Sequence, residues 1–468
     1  MKNRYITTSI AYINAEPHIG FLLELLSADV LARYHKQQGE DVFFLTGTDE
    51  HGTKVAKAAE DAGKEPQKYA DDLAKKFEKL GKDFNIDFDY FIRTTSPEHK
   101  KFVQEKWKEL EKAGALEKKT YKGHYCIGCE AFKNEREIVD GKCSIHEKEL
   151  EVVEEENYFF KLTKYKDQIL EWLQKEKPVK PEGRLNEIVN VVKDLEDISF
   201  SRPKEKLSWG IPVPGDETQT MYVWADALWN YLSVFEQTDK NKEDFWPADT
   251  QIIGKDILKF HAAIWPGLLL ATGNELPKEV LVHGFVNVDG KKMSKSLGNV
   301  VTPKELLDKY GVDATRYLIF RQLSFYEDSN FTWDDFDAIY NGELANGLGN
   351  LTNRVINLLK KFKSSGVEVD KNIEDSKLAD ANFAGEIQKI TELITAADQW
   401  ISEVKPWEWG DEPSSDQVKN FIEQTNLSEV AARLKPFMPE TSKEIVRQLK
   451  ELDPRPLFPR LVSEKNAG

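Results

Sequence analysis

Cysteine is scarce in this chain. Only three occur in 468 residues, Cys126, Cys129 and Cys143, all within one short stretch. They are too few and too clustered to staple a fold, which excludes a disulfide framework. Long apolar runs are missing too: nothing approaches the roughly 20 residues a membrane-spanning helix needs. The start, Met1-Lys2-Asn3-Arg4-Tyr5, passes straight into strand-like Ile6–Ile10 and lacks the apolar core of a secretory signal. These absences predict a cytoplasmic protein with no membrane partner. Positive charge is not in excess either. Lys and Arg number 65 against 81 Asp and Glu, a net charge of −16. That excludes indiscriminate nucleic-acid binding and leaves room only for a local, shaped contact. No internal repeat is present.

What remains is a globular balance, 40% hydrophobic and 31% charged, with length for two to four domains. Tyr5–Ile10 reads as a buried strand, and the loop Ala11–Pro17 leads to a helix from His18 to Gln38. Leu22, Leu25, Leu26 and Val30 give that helix an apolar face, and Gly39 stops it. A strand at Asp41–Leu45 follows, ending in Gly47-Thr48-Asp49-Glu50-His51-Gly52. Strand, helix, strand opens a parallel α/β sheet, whose ligands collect at the C-terminal strand ends. Helical periodicity runs through Gln67–Leu80 and Pro97–Lys112. From Leu116 the texture changes to short strands and turns, the mark of an insertion. Trp209–Gly215 marks the return to the sheet, with strands at Thr220–Val223, Gln251–Ile253 and Val280–His283. After Phe336 come amphipathic helices, Tyr340–Phe362, Asp380–Val404 and Ser415–Leu434, as in a helical bundle. The expected divisions are 1–115, 116–208, 209–285, 286–336 and 337–468.

Four motifs carry chemistry. His18 stands where a loop enters a helix at the sheet edge, a place that attracts phosphate; Gly20 leaves the backbone open, and Pro17 fixes φ before the helix. Gly290-Lys-Lys-Met-Ser-Lys-Ser-Leu-Gly-Asn299 has the chemistry of a cationic loop able to fold over a polyphosphate. Cys126-Ile-Gly-Cys129 and Cys143-Ser-Ile-His146 present three thiolates and one imidazole at tetrahedral knuckle spacing. That suits a structural Zn²⁺, with no open coordination position. Aromatic stripes at Tyr222–Tyr231 and Gly254–Pro266 flank a polar His261. Their rings suit a soft thioether, and His261 and Trp265 share a helix face.

The first and second of these motifs, in this order, resemble the two signatures of class I aminoacyl-tRNA synthetases. Over essentially the whole length the chain is most similar to the methionyl-tRNA synthetase family. The resemblance implies a doubly wound Rossmann-type α/β sheet split by a zinc-binding connective insertion, followed by an all-α anticodon-binding helical bundle. It implies ligation of L-methionine to tRNA(Met) through methionyl-adenylate, with Mg²⁺ accompanying ATP. By the same resemblance Asn14, His18, Gly20, Phe21, Gly254, Asp256, Lys292, Ser294 and Lys295 bind ATP. Of these, His18, Lys292 and Lys295 are the catalytic group. Ile10, Tyr12, Asp49, Trp224, Ala227, Leu228, Tyr231, His261 and Trp265 bind methionine, Asp49 through the ammonium. Arg202 links the site to the insertion, and Asn350, Arg354 and Trp407 read the CAU anticodon. Two positions depart from the family: Phe21 stands where a second signature His is usual, and Leu228 replaces a proline. The alternatives are another class I specificity, or an RNA-binding relative that has lost activation, motivated by Phe21. The short span between His18 and Lys292 leaves no room for the editing domain of the isoleucyl, valyl and leucyl enzymes. A C-terminal dimerisation module is not expected, and a monomer follows.

Overall fold

The computed structural model describes residues 2–127, 131–133, 135–144, 147–293, 298–369, 373 and 375–461. The strand Asn3–Thr8 lies near the centre of a seven-stranded sheet. Its last four residues are buried, as expected of a parallel strand covered on both faces. The order across the sheet is Val179–Lys180, Val280–His283, Thr250–Gly254, Asn3–Thr8 and Asp41–Asp49. Ala11–Tyr12 and Tyr90–Arg93 both pair with Asp41–Asp49. Every pairing is parallel. The C-terminal ends of these strands, at Thr8, Asp49, Gly254 and His283, therefore collect along one edge.

Asp41–Asp49 runs further than the expected Asp41–Leu45, because Gly47 admits a neighbour. A Cβ there would stand 2.0 Å from the Ile92 carbonyl oxygen, so only glycine lets Tyr90–Arg93 pair so closely. The helix Ile19–Gln37 matches its expected span and is buried along most of its length, including Glu24 and Asp29.

The insertion is built on a long antiparallel pair, Leu116–Cys126 with Glu151–Phe160, flanked by Ala131–Lys133 and Ile198–Ser199. Val179–Lys180, between its helices, forms the outer edge of the parallel sheet. The expected strand Thr220–Val223 does not rejoin that sheet. Asp216–Met221 is instead the middle strand of a small antiparallel sheet, with Ser201–Pro203 and Pro212–Val213 on its two sides, so its backbone groups are satisfied there.

The lysine-rich stretch begins as structure rather than loop. Val286–Val288 turns back through Asp289 (φ 49) and Gly290 (φ 74) and pairs with Lys291–Lys292. Asp-Gly with both φ positive is the turn that tight hairpins favour, which the lysine pattern masked. Ser294–Leu297, with Lys295, lies outside the described residues.

Helices follow from Pro303 to Glu451. The expected Ser415–Leu434 is two helices, Ser415–Thr425 and Leu427–Leu434, parted by Asn426 in the left-handed region. The expected Tyr340–Phe362 opens with a π-helical stretch, Tyr340–Gly349, before the regular helix Asn350–Lys361. Arg316, fully buried on the helix Val312–Gln322, joins this region to the sheet domain. It donates to Asp29 Oδ2 (2.5 Å) and to the carbonyls of Phe84 (3.1 Å), Pro436 (2.9 Å) and Phe437 (2.6 Å). Among the described residues no helix is long and apolar enough to cross a membrane.

Candidate active site

His18 is the N-cap of the helix Ile19–Gln37. Its Nδ1 accepts from the backbone N–H groups of Gly20 (3.1 Å) and Phe21 (3.4 Å). An imidazole nitrogen that accepts carries no proton, so the cap places the proton on Nε2, where it can be donated. Desolvation lowers the His18 pKa; Asp256 opposes the shift and His283 adds to it, so the neutral form is favoured. Gly20 serves His18 itself: a Cβ there would stand 3.0 Å from the His18 ring and 3.8 Å from Met293. The start of the lysine loop thus lies over the start of the helix. Phe21, in place of a second His, packs edge-on against Phe77 at 5.2 Å between ring centres. An aromatic contact replaces a polar one.

Beside His18 is a polar corner made at the strand ends. Asp256 folds back over Gly254, where a Cβ would stand 2.8 Å from Asp256 Oδ1. Glu24 Oε1 accepts from the Ser9 backbone N–H and hydroxyl (2.7 Å each), while Oε2 faces His283 Nε2 at 3.0 Å. His283 Nδ1 faces the Gly284 carbonyl at 2.8 Å. A carbonyl can only accept, so Nδ1 donates to it and Nε2 is turned to the Glu24 carboxyl group. Burial pulls the His283 pKa down, but Glu24, the Gly284 carbonyl and Asp256 outweigh burial and raise it.

The aromatic stripes pack together as one cluster of rings. Trp224 stacks on Phe260 at 3.9 Å, and His261 stands edge-on to Trp224 at 5.9 Å. Tyr231 touches both His261 and Trp265, each at 5.8 Å. His261 and Trp265 were expected one α-turn apart; Phe260–Ile264 is instead π-helical, and Tyr231 is what joins the two rings. His261 Nδ1 donates to the Ile257 carbonyl (3.1 Å), leaving Nε2 to accept from the Tyr231 hydroxyl (2.7 Å). Burial holds His261 at about 4, hence neutral, and, with the charge of Glu24, pushes the Tyr231 phenol well up. Both polar members of the cluster, His261 and Tyr231, are therefore uncharged. Ala227 and Leu228 are buried beside it, and Ile10, Tyr12 and Asn14 are half-buried on the loop that follows the central strand.

At the end of Asp41–Asp49 the Asp49 carboxylate is 5% exposed, and Asp49 pairs with Tyr12 in the sheet. Its neighbours are locked in place. Glu50 accepts both fork nitrogens of Arg93 (2.7 and 2.8 Å) and the hydroxyls of Thr48 and Thr95. His51 Nδ1 lies 2.6 Å from Asp226 Oδ2, and His99 Nε2 lies 2.8 Å from Oδ1. Burial pushes Asp226 up, but His51 and His99 outweigh it and hold it at about 2.

Glu24, Glu50, His99, Asp226 and His283 were not singled out from the sequence. One signal was available: Glu24 is a lone carboxylate in Leu22-Leu23-Glu24-Leu25-Leu26. The others become visible only when distant strands meet.

The remaining expected residues divide into four groups. Lys292 is exposed, its ammonium 4.8 Å from the Phe285 ring centre, while Ser294 and Lys295 lie outside the described residues. Arg202 pairs with Glu155 of the insertion (2.8 Å) and stacks on Tyr125 (4.0 Å). In the helical region Arg354 pairs with Asp398 (2.9 Å) and lies 6.0 Å from the ring of Trp407, which is 44% exposed; Asn350 is exposed one turn earlier. Of the metal-type set, Cys126 and Cys143 are buried at strand ends, and Cys129 and His146 lie outside the described residues. Among the described residues no group of three or more His, Cys, Asp or Glu side chains is arranged to hold a metal.

Comparison with known proteins places the chain in a family. The family model described as tRNA synthetases class I (M) matches residues 4–148 and 134–356. The methionine–tRNA ligase of Thermotoga maritima is 39% identical over 472 residues, covering 95% of this chain and 75% of that protein. That of Nostoc is also 39% identical, covering 95% and 89%. Among solved structures, Mycobacterium tuberculosis methionyl-tRNA synthetase in complex with methionyl-adenylate superposes with a TM-score of 0.86 at 34% identity, covering 99% of each chain. The apo form of that enzyme gives 0.81. The chain belongs to the class I tRNA synthetases, in their methionyl branch.

Proposed function

We propose that this site activates methionine with ATP and passes it to tRNA: the chain is a methionine–tRNA ligase. The observation that carries the reading is the meeting, along one sheet edge, of an uncharged aromatic pocket, the buried Asp49 carboxylate and the His18 corner. The pocket closed by the His261–Tyr231 pair suits a thioether, which stacks on rings and asks for only weak hydrogen bonds. Asp49 at the strand end takes the substrate ammonium. Gly254 and Asp256 take the ribose, with Glu24 beside them. The methionine carboxylate then attacks the α-phosphate in line, and pyrophosphate leaves. Little covalent chemistry is asked of the protein. His18 Nε2–H, the helix N-terminus, Lys292 and Lys295 align the phosphates and neutralise charge as it develops. Mg²⁺ enters with the ATP phosphates rather than in a protein cage. In the second step the terminal ribose of tRNA(Met) takes the acyl group. Asn350, Arg354 and Trp407 form an edge that can hydrogen-bond and stack splayed bases, and we assign it to the anticodon. The divisions 1–115 and 209–285 as catalytic halves, 116–208 as insertion, 286–336 as linker and 337–468 as anticodon domain belong to this reading.

ATP–pyrophosphate exchange with each amino acid in turn tests the assignment. Exchange is expected with methionine alone. Exchange driven by another amino acid would keep the mechanism and overturn the pocket, and none at all would favour an RNA-binding relative.

Three thiols and an imidazole suit Zn²⁺, and Cys126, Cys129, Cys143 and His146 are the residues that would hold it. The purified chain should carry one equivalent of zinc, and stripping it with a strong chelator should lower the melting temperature. Metal analysis showing no zinc in active protein would sink this assignment.

A further inference from the structure

Asp226 lies inside the pocket motif but is buried away from the pocket surface, at 1% exposure. Two distant segments bond to it. His51, two residues beyond Asp49, donates through Nδ1 at 2.6 Å. His99, on the helix Pro97–Lys112, donates through Nε2 at 2.8 Å, and its Nδ1 meets the Ser233 hydroxyl at 2.7 Å. Asp226 itself belongs to the short helix Val223–Ala227, which carries Trp224 and Ala227 into the methionine pocket. The turn is held from its other side as well: the Trp209 indole N–H donates to the Glu50 carbonyl (2.6 Å) and the Gly52 N–H to the Trp209 carbonyl (3.0 Å). One buried carboxylate thus ties the turn that presents Asp49 to the helix that presents the pocket rings.

We propose that Asp226 is a positioning residue for amino acid recognition, setting the distance between the carboxylate that takes the substrate ammonium and the rings that take its side chain. The inference rests on the methionine-activating reading above. An amino acid is held at two ends, and a shift of the turn against the helix spoils both contacts for methionine. The ATP corner is built on other groups, Glu24, Gly254, Asp256 and His283, none of which bonds to Asp226. The predicted effect is therefore selective.

Removing Asp226 outright risks the fold, so the test acts through its partner. His51→Ala deletes the bond, whereas His51→Asn keeps an amide N–H where Nδ1 stood. In pyrophosphate exchange His51→Ala should raise the methionine KM about tenfold or more, the cost of one lost bond to a buried charge, with the ATP KM nearly unchanged. His51→Asn should recover most of that loss. Asp226→Asn, which keeps the shape and removes the charge, should shift the methionine KM in the same direction. An unchanged methionine KM in His51→Ala would overturn the proposal. So would equal rises in both KM values, or His51→Asn behaving no better than His51→Ala. Absence of methionine-dependent exchange in the unsubstituted chain would instead strike down the reading beneath, and this inference with it.

Discussion

Replacing His18 with asparagine should lower the rate of methionine-dependent pyrophosphate exchange by about 10²–10³-fold, the scale for losing one preorganised donor to transition-state charge. The choice of asparagine matters. His18 has two nitrogens with separate uses: Nδ1 caps the helix, and the cap leaves Nε2–H as the donor that the proposed mechanism requires. Asparagine is among the best N-caps, so the first job survives while the second is lost. The melting temperature should hardly move. His18→Ala would confound the two, adding about 1 kcal/mol of lost capping to the chemical loss. A His18→Asn chain that exchanges at close to the normal rate would remove His18 from the catalytic group.

The second large effect is on stability. Arg316→Met should destabilise the chain by about 3–5 kcal/mol, the usual cost of stranding one partner of a buried ion pair. Asp29 is fully buried, and although it keeps Arg33 (2.8 Å) and the Asp87 N–H (2.8 Å), it loses its closest partner. Three backbone carbonyls lose donors as well. Two of them, Pro436 and Phe437, lie in the turn between the helices Leu427–Leu434 and Pro439–Glu451, so the loss falls on the seam between those helices and the sheet domain. Arg316→Lys keeps the charge but not the planar fork that reaches four acceptors, and it should recover only part of the loss. Denaturant unfolding of the three chains measures this, and an Arg316→Met midpoint equal to that of the parent would contradict it.

The elements that were legible in the sequence are those whose cause is local. The helix Ile19–Gln37 follows from its apolar face and Gly39, and the strands Asn3–Thr8 and Thr250–Gly254 follow from their β-branched and aromatic residues, the first starting two residues before the expected Tyr5. The pocket rings and the expected nucleotide residues could be named because they lie in two contiguous motifs and the stripes beside them. What stayed hidden is set by partners far away in the chain. Tyr90–Arg93 has no periodicity of its own and is a strand only because Gly47 opens a place beside it. Asp216–Met221 opens on Asp216 and Glu217, which strands disfavour, and nothing local says which sheet it joins. The same holds for chemistry: Asp226 reads as one acidic residue among aromatics until His51 and His99 arrive from 175 and 127 positions away. Phe21 shows the reverse case. The sequence marks it as a missing polar contact, while the structure shows the position filled by packing on Phe77.

The parallel sheet has a consequence for how the molecule is made. Asn3–Thr8 can pair early with Asp41–Asp49, but its other edge waits for Thr250–Gly254, and that strand in turn for Val280–His283. Such non-local pairing is slow to form, and an unpaired central strand is exposed meanwhile. At a synthesis rate of about 5–20 residues per second, the first strand of a nascent chain leads its partner by some tens of seconds. The insertion is translated inside that interval, between the two halves of the sheet. The corner where Glu24 meets His283 therefore closes only after the insertion has been made, and is among the last parts of the sheet domain to exist.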